Sequence, residues 1–403
     1  MTTAMREIAT VAVLGAGTMG SGIAQVAAEA GLEVLVHDPL EGATERARQR
    51  IGGFLRRKAE KGQLTADDVE LALARIAPSP SLDGLAAADL VVEAAPEDLE
   101  LKRGAFARLD AAMEPDAILA TNTSSLSVAR IASATSRPER VAGMHFFNPV
   151  PLMALVEVVA GPMTAPQVAD GVALVARRLG KTPVIVADTP GFVVNRVQRA
   201  YYLEAYRIHA EGLAELDAID DAMRGIGFRL GPFELADVVG TDVNLAAGEA
   251  IYEGFYGDPR YRPAQVQRRV VDAGRLGRKG GAGYYDYAAD GTRAGAWAAL
   301  RRGPMMPPLD AAQIEARVLA CIVNEAASAV ADGVATASAI DVAMRLATNW
   351  PEGPLAWGER IGLSSVVNTL DALHAEVPDG RYRVAPMLRA ISEAGGSFLA
   401  GTD

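Results

Sequence analysis

The sequence has few of the residues that build disulfide scaffolds and metal centres. In 403 residues it holds one cysteine, Cys321, and four histidines, at positions 37, 145, 209 and 374. A single cysteine excludes an intrachain disulfide and a cysteine-rich metal site. The histidines share no spacing that is typical of metal ligands. We therefore expect no metal in the functional site.

Long apolar runs and a basic excess are also missing. No hydrophobic segment reaches the length that spans a bilayer, and residues 1–7 are too few and too polar to form a signal peptide. The net charge is −11, without a dominant stripe of lysine or arginine, which argues against a nucleic-acid partner. The sequence thus predicts a cytoplasmic protein that binds neither membranes nor nucleic acid.

The pattern of elements changes along the chain. Half of the residues are hydrophobic, so the chain can fill the cores of two or three domains. Strand-like and helix-like segments alternate up to about residue 188, which predicts a mostly parallel sheet with helices on both faces. The pattern then becomes helical, and the glycines and prolines of residues 289–308 indicate a linker.

A glycine turn follows the first apolar run. Residues 8–14 read as a strand and lead into Gly15-Ala16-Gly17-Thr18-Met19-Gly20 and a helical segment. Gly15 permits a tight turn, Gly17 lets the backbone approach a pyrophosphate, and Gly20 lets helix and strand pack closely. A second strand, residues 33–37, ends at Asp38, where a carboxylate can bind ribose hydroxyls. No arginine adjoins Asp38, so NAD is favoured over NADP; a glycine turn without a ligand is the alternative.

His145 lies in the apolar run Met144-His145-Phe146-Phe147-Asn148-Pro149, and Glu157 lies in the strand-like residues 155–159. A histidine can take a proton at neutral pH, and a buried carboxylate fixes its tautomer and stabilises the imidazolium. The pair predicts a general base with its orienting partner. A buried polar pair without catalytic function is the alternative.

Two polar segments extend this candidate site. Residues 121–127 follow the strand-like residues 117–120, so they lie at the carboxyl edge of the sheet, where ligands bind. Their hydroxyls can donate to a substrate oxygen, or Ser124 or Ser125 can cap the next helix. Asn195 follows a Pro-Gly break at residues 190–191 and opens a helix. Its amide can hold a substrate, or it can form a capping or interdomain bond.

Together these residues and motifs resemble the L-3-hydroxyacyl-CoA dehydrogenase family over residues 5 to about 288. The resemblance implies an α/β Rossmann-type N-terminal domain followed by an all-α dehydrogenase C-terminal domain. It also implies that His145 removes the proton of the C3 hydroxyl and that Glu157 orients it. Ser124 and Asn195 would hold the reacting oxygens of the substrate, while the hydride passes from C3 to the nicotinamide.

The resemblance also implies the residues that bind cofactor and coenzyme A. The NAD contacts carried over are Gly15, Gly17, Thr18, Met19, Gly20, Asp38, Glu97, Lys102, Ser124, Asn148 and Lys279. A basic segment between the second and third strands contains Arg46, Arg48, Arg50, Arg56, Arg57, Lys58 and Lys61. Its local field can attract the anionic end of coenzyme A, with Lys61 as the position carried over, although a solvated helix face is the alternative. Phe54 departs from the family, which often has a serine there.

The helical part of the chain is repeated. At an offset of 121, Glu204, Gly212, Asp220 and Met223 match Glu325, Gly333, Asp341 and Met344, which indicates duplication of a structural unit. Ala316 takes the position of Asn195, so the second copy has lost its chemistry. Single-copy relatives dimerise through this domain. We expect the second copy to pack against the first and imitate that interface, although further homo-oligomers or a surface for another protein remain open.

These features predict the domain organisation and the function. We expect an NAD-binding Rossmann domain over 1–188 with a helical insertion near 43–76, a helical substrate and dimerisation-type domain over 189–288, a linker over 289–308, and a degenerate second helical copy over 309–403. The predicted activity is NAD-dependent oxidation of (S)-3-hydroxyacyl-CoA. The acyl group is short, such as butyryl, or is 3-hydroxyadipyl with its distal carboxylate near Arg196 or Arg199. The alternatives are a carrier-bound or non-CoA hydroxy substrate and a catalytically silent NAD-binding module.

Overall fold

A computed structural model describes residues 7–301 and 307–400. The described chain divides after Phe192 into two compact units. Within the described residues, no helix is long and apolar enough to cross a membrane. The first unit combines strands and helices, and the second is mainly helical, which confirms the predicted fold class.

The first unit is built on an eight-stranded sheet of order β3-β2-β1-β4-β5-β6-β7-β8. Neighbouring strands are parallel except β6 and β7, which pair antiparallel. The switch point between β1 and β4 is the place where doubly wound sheets bind ligands. The strands are β1 (Thr10–Leu14), β2 (Glu33–His37), β3 (Ile76–Pro78), β4 (Leu90–Glu93), β5 (Ile118–Thr121), β6 (Val141–Phe146), β7 (Leu155–Ala160) and β8 (Thr182–Ala187).

Several helices of the first unit begin at a capping residue or at a proline. Thr65 and Asp68 form a capping box at the start of α3, Asp98 caps α4, and Pro166 occupies the first turn of α6. Helices α2 and α3 lie between β2 and β3, in the segment where we expected a helical insertion. The bounds are α1 (Thr18–Glu29), α2 (Ala43–Glu60), α3 (Ala66–Ala74), α4 (Leu99–Ala112), α5 (Val128–Ala132) and α6 (Pro166–Arg178).

The second unit opens with the first helical copy and a short antiparallel hairpin. Strand β10 lies inside residues 289–308, the segment that we expected to be a linker. It pairs with β9, so this part of the segment has regular structure. Residues 302–306 of that segment lie outside the described residues. The elements are α7 (Val194–Ala210), α8 (Leu216–Gly225), α9 (Pro232–Val239), α10 (Thr241–Gly254), α11 (Gln265–Asp272), β9 (Tyr285–Tyr287) and β10 (Arg293–Ala296).

The second helical copy repeats the order of helices in the first. It contains α12 (Ala311–Ala331), α13 (Ala337–Thr348), α14 (Pro354–Ile361), α15 (Leu363–Glu376) and α16 (Pro386–Glu393). The buried carboxylate of Asp220 accepts hydrogen bonds from the N–H groups of Phe233 and Glu234 at the start of α9. Asp341 does the same for Leu355 and Ala356 at the start of α14. The same cap therefore recurs at equivalent positions of the two copies.

Buried ion pairs join the two helical copies reciprocally. Arg196 of α7 donates to Glu325 of α12 at 2.7 Å, and Arg317 of α12 donates to Glu204 of α7 at 2.8 Å. Two tyrosine hydroxyls form equivalent hydrogen bonds in the two copies. Tyr261 donates to Glu325 at 2.5 Å, and Tyr382 donates to Glu204 at 3.2 Å. The arginine of each copy thus pairs with the glutamate of the other copy, which is the pattern of an interface with twofold symmetry.

Candidate active site

His145 and Glu157 face each other across the antiparallel pair β6 and β7. Their Cα atoms are direct partners in the register, so both side chains lie on the same face of the sheet. Nδ1 of His145 lies 2.7 Å from Oε2 of Glu157, and the residues are 5% and 0% exposed. A carboxylate at that distance requires the proton on Nδ1, which leaves Nε2 as the acceptor. The pair has the geometry of a base with its orienting group.

Two aromatic rings lie against the imidazole of His145. The ring centroid of Phe147 lies 4.5 Å from that of His145, and that of Phe192 lies 5.8 Å away. Apolar rings exclude water and so strengthen the interaction of the imidazole with its carboxylate. The sequence predicted Phe147 in this apolar neighbourhood, whereas Phe192, 47 positions later, is brought to it by the fold.

Of the three glycines described in the turn between β1 and α1, Gly17 is the one with open space beside it. At Gly15, where φ is +103°, a Cβ atom would lie 2.6 Å from the carbonyl oxygen of Ala94, and at Gly20 it would lie 1.8 Å from that of Gly15. At Gly17, no heavy atom of the described residues, apart from those of its own neighbours in sequence, lies within 4 Å of such a Cβ. Gly17 is also the N-cap of α1, and no side chain caps that helix. The turn thus leaves backbone N–H groups next to open space, as a pyrophosphate requires.

Asp38 lies directly after β2 and is fixed by the backbone. Its Oδ2 accepts a hydrogen bond from the N–H of Ala16 at 2.8 Å, and its Oδ1 accepts one from Leu40 at 2.9 Å. The carboxylate is half-buried and therefore still accessible. This position beside the glycine turn is the one from which a carboxylate binds the ribose hydroxyls of NAD.

Residues 123–126 follow β5 and form what we call the Ser124 turn. Oε1 of Glu97 accepts hydrogen bonds from the hydroxyl of Thr123 at 2.5 Å and from the N–H groups of Ser124 at 3.0 Å and Ser125 at 3.2 Å. Ser124 is exposed at the carboxyl edge of the sheet. The cap of the next helix is Ser127, so the alternative that Ser124 or Ser125 caps it is wrong, because α5 begins only at Val128.

A buried salt bridge lies beneath this turn. Nζ of Lys102 is 2.6 Å from Glu93 and 3.3 Å from Glu97, and the side chains of Lys102 and Glu93 are 1% and 0% exposed. Glu93 ends β4 and also accepts hydrogen bonds from the N–H of Ala95 and the hydroxyl of Thr121. Sequence reasoning missed Glu93. The available signal was a carboxylate at the carboxyl end of an otherwise apolar strand.

The segment after His145 is held at both ends. The N–H of Phe146 donates to the side chain of Asn122 at 2.8 Å. The buried ammonium of Lys181 donates to the carbonyl oxygens of Val150 at 2.5 Å and Met153 at 2.8 Å, and burial lowers the pKa of Lys181. Asn148 lies between these anchors, is exposed, and precedes a cis peptide bond. A contact of Asn148 with the cofactor stays a prediction.

Three further predicted site residues lie elsewhere in the two units. Lys61, in the first unit, is the exposed C-cap residue that directly follows α2. In the second unit, Asn195 is the second residue of α7, and Lys279 is exposed in the short 3-10 turn Arg278–Gly280. The contacts predicted for these residues stay predictions. Within the ranges 7–301 and 307–400, no group of three histidine, cysteine or acidic side chains could hold a metal ion.

Arg196 and Arg199 do not serve a distal carboxylate as expected. Arg196 is completely buried, and its guanidinium is paired with Glu325 and with Asp332 at 2.7 Å each. Arg199 is 4% exposed and donates to the carbonyl oxygens of Asn195 and Asn244. The expectation is wrong because helix packing buries both guanidinium groups and supplies their partners.

Comparisons with known proteins match the chain from end to end. The model of the 3-hydroxyacyl-CoA dehydrogenase NAD binding domain matches residues 10–189, and that of the C-terminal domain matches residues 191–287 and 314–397. The 3-hydroxyadipyl-CoA dehydrogenase of Escherichia coli K12 is 38% identical over 97% of this chain and 99% of its own length. The human mitochondrial hydroxyacyl-coenzyme A dehydrogenase is 42% identical over 69% of this chain and 90% of its own.

A similar structure has been solved. The crystal structure of the 3-hydroxybutyryl-CoA dehydrogenase from Escherichia coli K12 has a TM-score of 0.88 and 37% sequence identity, and the match covers 96% of this chain and 99% of that one.

Proposed function

The chain belongs to the 3-hydroxyacyl-CoA dehydrogenase family, and we propose that it oxidises (S)-3-hydroxyacyl-CoA to 3-oxoacyl-CoA, reversibly, with His145 as the general base. NAD is the cofactor of this family's N-terminal domain. The observation that carries the catalytic assignment is the buried pair of His145 and Glu157, with Nδ1 and Oε2 2.7 Å apart. A base in that state is ready to take one proton at Nε2.

Each proposed site residue has a separate role in the reaction. Nε2 of His145 accepts the proton of the C3 hydroxyl, and Glu157 stabilises the imidazolium that results. Ser124 and Asn195 hold the reacting oxygens of the substrate, in agreement with the resemblance. NAD, when bound, supplies the hydride acceptor for the hydrogen on C3. In the reverse direction, His145 returns its proton to the carbonyl oxygen.

The residues around the glycine turn fit a dinucleotide. The open space at Gly17, the uncapped start of α1 at Thr18 and Met19, and the fixed carboxylate of Asp38 provide for pyrophosphate and ribose. Lys279 stays a prediction for the nicotinamide side. Direct cofactor contacts of Glu97 and Lys102 also stay predictions.

The activity test is the loss of NADH absorbance with acetoacetyl-CoA. It runs beside 3-oxoadipyl-CoA, free acetoacetate and a carrier-bound 3-oxoacyl thioester, with NADPH as the cofactor control. Turnover of either CoA ester supports the assignment, and the ratio of kcat/KM between the two identifies the preferred acyl group. Silence with both CoA esters, despite NADH binding, overturns it in favour of a carrier-bound or non-CoA substrate or a silent module.

The acyl group remains between two candidates. The relatives include enzymes named for 3-hydroxybutyryl-CoA and for 3-hydroxyadipyl-CoA. A relative that matches nearly the whole chain carries the second name, and a solved structure that matches 96% of the chain carries the first. The burial of Arg196 and Arg199 removes the basic partners that we expected for a distal carboxylate. Coenzyme A recognition by Lys61 and the basic face of α2 stays part of the proposal.

We further propose that the second helical copy replaces a dimer partner within the chain. The reciprocal pairs Arg196–Glu325 and Arg317–Glu204 support this role, because a homodimer interface pairs its residues in the same way. The first copy then needs no second chain to cover its apolar face. A cytoplasmic location and any further homo-oligomer stay predictions.

A further inference from the structure

The side chain of Arg50, on helix α2, lies against the glycine turn. Its Nη2 donates to the carbonyl oxygen of Ala16 at 2.8 Å, and its Nε donates to the hydroxyl of Ser21 at 3.3 Å. Ala16 belongs to the glycine turn, and Ser21 belongs to the first turn of α1. The two bonds therefore hold the guanidinium beside the backbone that we assign to the pyrophosphate of NAD.

The guanidinium of Arg50 has donors that remain free. A guanidinium carries five N–H groups, and the two bonds to Ala16 and Ser21 use only two of them. Arg50 is exposed and forms no ion pair with any residue of the ranges 7–301 and 307–400. Lys58 of the same helix, by contrast, is paired with Glu29. Arg50 is thus an accessible cation whose charge is not neutralised by a neighbouring carboxylate.

The glycine turn provides dipoles but no formal positive charge. The first turn of α1 contains Thr18, Met19, Gly20 and Ser21, and no side chain caps that helix. The N-terminus of a helix corresponds to roughly half of a positive charge, whereas a dinucleotide carries a negative charge on each of its two phosphates. A guanidinium beside the turn can supply the missing charge and can donate two parallel hydrogen bonds to phosphate oxygens.

Ala16 connects Arg50 to the residue that we assign to the ribose. Its N–H donates to Oδ2 of Asp38 at 2.8 Å, and its carbonyl oxygen accepts the bond from Arg50 at the same distance. Ribose and pyrophosphate are adjacent groups of one cofactor. A carboxylate for the first and a guanidinium for the second therefore lie on either side of a single residue of the turn.

Arg50 is also distant from the residue that we connect with coenzyme A. Lys61 follows Arg50 by 11 positions, and a helix rises by about 1.5 Å per residue, which separates their backbones by about 16 Å along the axis. The two basic residues can therefore bind different anions, one at the glycine turn and one beyond the end of α2.

We propose that Arg50 is a ligand of the NAD pyrophosphate. Its guanidinium keeps the bond to Ala16 and donates through its free N–H groups to the phosphate oxygens. The inference rests on the proposed placement of the pyrophosphate at the glycine turn. It separates Arg50 from the other basic residues of α2, which we connected with coenzyme A.

Arg50→Gln tests the proposal, because glutamine lacks the charge but can still donate to Ala16. We expect the Kd for NADH, measured by fluorescence, to rise about fivefold or more, since a hydrogen bond to a charged group is lost. ADP-ribose, which has the pyrophosphate but no nicotinamide, should lose affinity by the same factor. The Kd for NADH should also depend less on salt, because one charge–charge interaction has been removed.

Arg50→Lys distinguishes a ligand from a structural tether. Lysine keeps the charge but loses the planar fork of the guanidinium. If Arg50 is a ligand, this variant should bind NADH more tightly than Arg50→Gln and keep the salt dependence of the wild type. Equal losses of affinity in both variants, together with a lower Tm and an unchanged salt dependence, would identify a tether and overturn the proposal.

Arg178→Gln is the matched control. Arg178 is also exposed, and its Nη1 donates to the carbonyl oxygen of Ile8 at 2.8 Å, the same distance as in the bond from Arg50 to Ala16. Ile8 precedes β1 and Ala16 follows it, so the control lies at the other end of that strand from the glycine turn. The Kd values for NADH and ADP-ribose should both stay at the wild-type level.

The outcomes separate Arg50 from the rest of the proposed function. A higher KM for acetoacetyl-CoA with an unchanged Kd for NADH in Arg50→Gln would place Arg50 at the pyrophosphate of coenzyme A and overturn the proposal. Normal binding of NADH and ADP-ribose in Arg50→Gln, with weakened binding in Gly17→Ala, would overturn the role of Arg50 alone. Absence of wild-type turnover with both CoA esters would overturn the proposed activity, while the Kd for NADH still decides the role of Arg50.

Discussion

Arg196 donates to Glu325 at 2.7 Å, and both side chains are buried in the helical unit. Arg317 and Glu204, the equivalent residues with the copies exchanged, make the same bond at 2.8 Å. Each copy therefore supplies an arginine and a glutamate to one symmetric contact. The duplication has kept both halves of an interface within a single chain.

Removing one partner of these pairs should destabilise the helical unit strongly. Arg317→Met removes the nearest cation from the fully buried carboxylate of Glu204 and leaves it with the more distant Arg207, at 3.4 Å, and we expect the free energy of unfolding to fall by up to about 3–5 kcal/mol. Urea unfolding measures the change. Arg360→Met is the control, because its pair with Glu352 is exposed, and it should cost about 0–1 kcal/mol. Equal losses in the two variants would contradict the structural role of the buried pair.

Removal of the second copy should expose the face that it covers. A chain that ends at residue 308 leaves the buried side chains of α7, among them Arg196 and Glu204, without their partners from α12. We expect new dimers or aggregation, measured by light scattering during size-exclusion chromatography. A monomer with unchanged stability would instead indicate that the second copy is an independent appendage.

Replacement of the proposed base should lower kcat strongly and leave NADH binding unchanged. His145→Gln keeps a polar side chain but cannot take the proton, so kcat should fall about 10²–10⁴-fold. NADH binding, measured by fluorescence, should stay within about twofold of the wild type because the glycine turn is untouched. A variant that retains most of its turnover would refute the assignment of His145.

Two glycines of the same turn should respond differently to an added methyl group. The Cβ of Gly17→Ala meets no heavy atom of the described residues within 4 Å apart from its own neighbours in sequence, so Tm should stay unchanged while NADH binding weakens by about tenfold or more. Gly15→Ala meets the carbonyl oxygen of Ala94 at 2.6 Å with φ at +103°, so Tm itself should fall. Normal NADH binding in Gly17→Ala would place the pyrophosphate elsewhere.

Stability should decrease as the pH rises through the weakly acidic range. Burial raises the pKa of Asp220 to about 7 and that of Asp341 to about 6, whereas an unfolded aspartate titrates near about 3.9. Between these values the folded chain binds protons that the unfolded chain has lost, so the free energy of unfolding falls with rising pH. The loss is complete once the pH exceeds the folded pKa values.

The two variants Asp220→Asn and Asp341→Asn test this linkage. Each should flatten the pH dependence of urea unfolding by up to about 1.4 kcal/mol per pH unit. Part of the slope will remain, since burial also raises the pKa of Asp237 to about 6. Asp371→Asn is the control, because a hydrogen bond from Arg389 lowers the pKa of Asp371. A steeper fall in the Asp220 variant would contradict the sign of the effect.

Much of the fold follows from local pattern. The strand of residues 33–37 has the predicted bounds, and the glycine turn lies between β1 and α1 as its spacing indicates. Helix α7 begins one residue before Asn195, three positions after the end of the predicted break at residues 190–191. Such features depend on periodicity, glycine and proline within a few residues, so a sequence contains them directly.

The hydrogen bonds and ion pairs that hold the site residues in place were harder to predict from the sequence. Ser127 rather than Ser124 or Ser125 caps α5, because the helix starts later than the cluster of hydroxyls suggests. Glu93 escaped notice, since its hydroxyl donor, Thr121, is 28 residues away. The burial of Arg196 and Arg199 was missed for the same reason, because each has a partner far along the chain, Glu325 for Arg196 and the carbonyl oxygen of Asn244 for Arg199.

The sequence by itself determined the alternation of strand and helix, the glycine turn, the apolar setting of His145 and the duplication of the helical part. Those are properties of neighbouring residues or of a comparison of the chain with itself. Only the tertiary structure decided which charged side chains form ion pairs with each other. Arg317 reaches Glu204 across 113 positions, and Lys102 lies between two carboxylates. Such pairings arise because burial forces each charge to find a partner among residues that only folding brings together.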